Sequence, residues 1–154
     1  AAELGLHRVA HAGEEGPPAY IWGALDALHV ERIDHGVQAA QDAALLARLA
    51  RDRVPLTVCP LSNVRLRVFP DLVQHNLRAL LDAGLCVTIH SDDPAYFGGY
   101  LLDNYRLTFD ALGLDAGHAR LLAANSIDAS FAAPTDKARW RAELQAVFER
   151  MVLS

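Results

Sequence analysis

The 154-residue chain is 52% apolar and 21% charged, a balance that suits one globular domain with a real core. Its formal net charge of −5, with no run of Lys or Arg, argues against nucleic acid or an anionic membrane as a principal partner. No apolar stretch approaches a membrane span and no basic-then-apolar leader opens the sequence, so a soluble cytoplasmic protein is expected.

The first six residues look like the last turn of a helix closed by a C-cap glycine, Gly5, and feeding a strand. With no initiator methionine, the chain is expected to begin inside a fold. Residues 6–10 predict a strand that ends at His11-Ala12-Gly13-Glu14. Gly16-Pro17-Pro18 breaks the backbone, and Pro18 suits a first helical turn. A helix over 20–28 follows, with Ile21, Ala24, Leu25 and Leu28 on one face. A second strand, 30–33, ends at Asp34-His35-Gly36, and 39–50 predict a helix that buries Ala43, Leu46, Ala47 and Ala50. A third strand, 56–59, is introduced by Pro55 and stopped by Pro60-Leu61-Ser62-Asn63, a segment expected to form a structural turn. A longer connection over 64–76 leads to a helix at 77–83 closed by Gly84. The fourth strand, 85–90, runs into Ser91-Asp92-Asp93-Pro94. Helical patterns at 101–112, 116–131 and 135–153 complete the chain.

Strand, polar residue and helix thus alternate four times, the rhythm of parallel βα units. Apolar, β-branched strands between helices predict burial on both faces. Polar residues at the end of every strand are the pattern of a (β/α)8 barrel, whose site lies at that face. A whole barrel needs about 250 residues and eight strands. The expectation is therefore an α/β fold equivalent to half a TIM barrel, with residues 1–154 as a single partial domain. Cys59 and Cys86 lie in apolar strand-like runs and are expected as buried free thiols.

Adjacent carboxylates such as Asp92 and Asp93 repel unless something positive lies close, and a divalent metal is the obvious candidate. A catalytic zinc takes about three protein ligands, commonly His with a carboxylate, and keeps a place for water. His11 and one of the two aspartates offer two such ligands. Glu14, across a glycine from His11, suits acid/base work, and His35 could orient the water. Among the remaining histidines, His7, His29, His75 and His118 are expected to be structural or exposed.

Four segments together resemble the metal-dependent adenosine and adenine deaminases of the amidohydrolase type: His11 to Glu14 (His-Ala-Gly-Glu), Arg32 to Gly36 (Arg-Ile-Asp-His-Gly), Val58 to Asn63 (Val-Cys-Pro-Leu-Ser-Asn) and Ser91 to Pro94 (Ser-Asp-Asp-Pro). The resemblance spans essentially the whole chain and is similar to the C-terminal half of that family's barrel. It implies one zinc ion per complete site, with His11 and Asp92 among its ligands. It further implies that Glu14 protonates the purine ring, that His35 orients or deprotonates the attacking water, and that Asp93 binds the purine. The adenosine enzymes usually carry glycine where this chain has Asp34, so Asp34 and the run 93–100 look like the adenine branch, acting on a free purine base in purine salvage. Adenosine or an N6-substituted adenine is the alternative substrate. The family's His-x-His zinc motif has no counterpart here, which implies a missing N-terminal half as partner and an inactive isolated chain. His90 stands where the family more often has asparagine.

Overall fold

The computed structural model describes residues 2–152. Four short strands, β1 (Val9–Ala12), β2 (Arg32–His35), β3 (Leu56–Val58) and β4 (Val87–Ile89), form one sheet in the order β1-β2-β3-β4. All three pairings are parallel. Between them run α1 (Pro18–Asp26), α2 (Ala43–Asp52), α3 (Pro60–Arg65) and α4 (Leu77–Asp82). After β4 come a single turn, α5 (Pro94–Phe97), and three longer helices, α6 (Leu101–Leu112), α7 (Ala116–Ala129) and α8 (Pro134–Val152). This is the α/β architecture of half a (β/α)8 barrel. Among the described residues no helix is long and apolar enough to cross a membrane.

Strand alternation divides the sheet into two chemically different faces. Ala10, Ile33, Leu56 and Val87 share one register row and pack with Ile21, Leu45, Leu49, Leu77 and Leu80 of the helices. The next row, His11, Asp34, Thr57 and Thr88, is polar from end to end. Burial of both faces was expected to come with apolar residues on both. The inner face is polar instead, because it lines the site.

Strand boundaries shift by one to three residues from those expected, and each shift carries site chemistry. β1 starts at Val9 and contains His11, while β2 contains both Asp34 and His35. The predicted helix over 39–50 divides into a 3-10 turn (Val37–Gln41) and α2, because Asp42 accepts from Ala44 N and Leu45 N and caps the second piece. Its buried face is consequently Leu45 and Leu49, with Ala43 and Ala47 exposed. Leu28 falls beyond the end of α1 and is exposed. Pro60 opens a helix where a turn was expected, since proline is favoured at a first helical position. The turn at Ala2–Leu4 is closed by Gly5 in the left-handed region, as expected. Both cysteines are free and buried. The predicted helix end at Leu153 lies outside the described residues.

Candidate active site

His35, the last residue of β2, and Asp92, three residues past β4, both lie in the left-handed region, with φ of 65° and 56°. That conformation costs a non-glycine residue about 1 kcal/mol or more and persists where surrounding packing enforces it. It turns both side chains away from the regular strand alternation. They meet at a cavity of about 350 Å³ whose lining includes His11, Asp34, His35, Cys59, His90 and Asp92. That size lies in the range of small-molecule sites.

Each predicted group has a partner behind it. His11 is exposed at its ring, and its Nδ1 lies 3.3 Å from Asp34 Oδ2. Asp34 Oδ1 in turn accepts from Thr57 Oγ1 at 2.6 Å and lies 3.7 Å from Arg32 Nε. The hydroxyl of Ser62 donates to Asp92 Oδ2 at 2.7 Å. Glu14 Oε1 accepts from Asn63 Nδ2 at 2.8 Å and lies 3.2 Å from His35 Nδ1, which links it to the cavity. The opposite ring nitrogen of His35 is 4.0 Å from Asp92 Oδ2.

Asp93 is placed differently from its neighbour. Its Oδ1 caps α5 by accepting from Tyr96 N at 3.0 Å, and its side chain is not among those lining the cavity. His90 does line it, with Nε2 2.8 Å from Thr88 Oγ1.

Burial shifts the proton affinity of three of these groups. Burial raises the Glu14 carboxyl above its ordinary value; donation from Asn63 works against this, and the nearby Asp92 adds to it. Burial, followed by the charge of His11, lowers His35 and favours its neutral imidazole. The Cys59 thiol is pushed up to about 12 by burial, reinforced by Asp92, Glu14 and Asp34.

Two sets of side chains could hold a metal. His35, Cys59 and Asp92 bring ligand atoms within 4.8 Å of one another. Ligation by Cys59 requires loss of a proton that its surroundings strongly retain. His11 and Asp92 fit better. Each has the hydrogen-bonding or charged partner, Asp34 and Ser62, that orients a metal ligand from behind. These two fall short of the roughly three protein ligands of a catalytic zinc, so the described residues supply a partial donor set.

The family model of adenosine deaminase matches residues 1–147. The chain belongs to the adenosine deaminase family. It is 64% identical over 149 residues to an adenine deaminase of Albidiferax ferrireducens, a match that covers 97% of this chain and 43% of that protein. An adenine deaminase structure from Arthrobacter aurescens superposes with a TM-score of 0.94 at 52% identity, over 97% of this chain and 46% of that one. An amidohydrolase from Burkholderia ambifaria, solved with bound zinc, gives a TM-score of 0.91 at 30% identity, over 99% of this chain and 43% of its own. The chain thus spans less than half the length of these relatives. The family is one of metal-dependent hydrolases, as the resemblance implied.

Ser62, Asn63, Thr57 and Cys59 are site neighbours that the sequence reading assigned to structure or passed over. The available signal was Pro60: a proline at the first helical position puts Ser62 and Asn63 in the first turn of a helix, directly above a strand end.

Proposed function

We propose that this chain contributes one half of the active site of a zinc-dependent adenine deaminase. The overall reaction is adenine plus water to hypoxanthine plus ammonia. The observation that carries the proposal is the convergence of His11, His35 and Asp92 on one cavity, with Glu14 held 3.2 Å from His35. The names of the similar proteins support adenine as substrate.

His11 and Asp92 would hold the zinc, together with ligands from the remainder of a barrel. When bound, the ion supplies a Lewis acid that activates water near neutral pH. The chain's own residues do the rest. Glu14, its carboxyl raised by burial, is the group that would deliver a proton to a purine ring nitrogen. His35, kept neutral, offers a ring nitrogen on the Asp92 side of the cavity to orient water. Asp93 would reach the purine with the carboxylate oxygen that does not cap α5. Asp34 holds His11 and occupies space that a sugar would need, which favours a free base. A cytoplasmic role in purine salvage belongs to the same proposal.

The test is a comparison of zinc-loaded full-length protein on adenine, adenosine and N6-isopentenyladenine. Adenine is expected to be turned over with the highest kcat/KM. Faster turnover of adenosine would overturn the assignment of substrate.

A further inference from the structure

His75 lies on the connection before α4 and is 3% exposed, and it is not among the residues lining the cavity. Its ring packs on Phe69 with centroids 4.4 Å apart. Its Nδ1 accepts the backbone N–H of Leu77 at 3.0 Å, so that nitrogen carries the lone pair. A neutral ring then has its proton on Nε2, which lies 3.2 Å from Asn63 Oδ1 and must donate to it. Asn63 is itself completely buried.

That single donation orients the Asn63 amide. With Oδ1 turned to His75, the Nδ2 group faces Glu14 Oε1 at 2.8 Å and His35 Nδ1 at 3.3 Å. The flipped amide would set a carbonyl oxygen against the Glu14 carboxylate and leave an N–H against the N–H of His75. We propose that His75 is a positioning residue: through Asn63 it holds Glu14 and His35 in the geometry their proton-handling requires. This rests on the deaminase reading above, since that reading gives Glu14 and His35 their roles.

Two substitutions, each retaining a polar atom near one of the two ring-nitrogen positions, separate positioning from structure. In His75→Asn the shorter side chain keeps an acceptor for Leu77 N–H and loses the donor to Asn63. In His75→Gln the amide nitrogen reaches the Nε2 position and keeps that donor, while the contact to Leu77 is lost. In zinc-loaded full-length protein, kcat on adenine is expected to fall about 10-fold or more in H75N, with KM within about twofold, as for other residues that orient active groups from behind. H75Q is expected to stay within a few-fold of wild type. Equal loss in both variants, tracking a common fall in thermal midpoint, would overturn positioning in favour of a structural role, as would wild-type kcat in H75N. Nitrogen-15 spectra of the histidine rings test the geometry without turnover: the Nε2–H form of His75 is expected, and the Nδ1–H form would overturn the inference. Should the wild-type protein fail to deaminate adenine, the proposed function falls while the ring spectra still decide the His75 linkage.

Discussion

Burial denies His75 its charge, pushing the imidazole down to about 4. An unfolded histidine near 6.5 binds a proton that the folded one refuses, so between those two values stability falls as pH falls. The loss summed across that window is roughly 3 kcal/mol. His35, lowered by burial, adds to the same acid limb. Glu14 acts in the opposite sense: its raised carboxyl makes the folded state hold a proton longer, so its contribution declines as pH rises through its titration. Urea denaturation at pH 7 and pH 4 should show this limb in wild type and a much weaker one in His75→Gln; an unchanged limb would reassign it to other groups. Ser62→Ala removes the donor behind Asp92. Zinc affinity of the full-length protein, measured by chelator competition, is expected to fall about 10- to 100-fold.

Among the elements, the end of β2 leaves little room for change. His35 and Gly36 are consecutive left-handed residues, and Gly36 N donates to Ala12 O at 3.1 Å. A Cβ on Gly36 would lie 2.7 Å from Leu56 Cδ2 and 3.2 Å from Ile33 Cγ2. Gly84, also left-handed, has open space around its would-be Cβ. Gly84→Ala should therefore cost the left-handed strain alone, about 1 kcal/mol, and Gly36→Ala should cost more because core side chains must also move. Denaturant midpoints of the two variants compare them directly; an equal drop would show that the core at β2 accommodates the methyl freely.

For the molecule as a whole, the two sheet edges differ. At β4, Asn125 of α7 donates Nδ2 to Val87 O at 2.9 Å and covers that edge carbonyl. At β1, Val9 remains 42% exposed, and Leu4 and Leu6, just before it in the sequence, are exposed as well. An uncovered strand edge beside apolar surface favours association. The 154-residue chain on its own is expected to self-associate in size-exclusion chromatography with light scattering. A monodisperse monomer with stoichiometric zinc would defeat both this expectation and the partial donor set inferred for the metal.

The order of strands and helices, and the rule that chemistry sits at strand ends, were legible in the residues alone. Both rest on local pattern: apolar runs bounded by Gly and Pro, each followed by His, Asp or Asn. The resemblance in four short motifs likewise needed no coordinates to reach the family. Contacts between distant segments were not legible. Asn63 meets Glu14 across 49 positions, and Thr57 meets Asp34 across 23. Asp92 and Asp93 are alike as residue types and were told apart only by the family resemblance; in the structure one lines the cavity and the other caps a helix. A left-handed φ at Asp92, in the loop that leaves β4, accompanies that separation, and such a conformation persists only where tertiary packing holds it. His75 was expected to be merely structural or exposed for the same reason: its link to Glu14 runs through Asn63 and exists only once the turn before α4 meets α3.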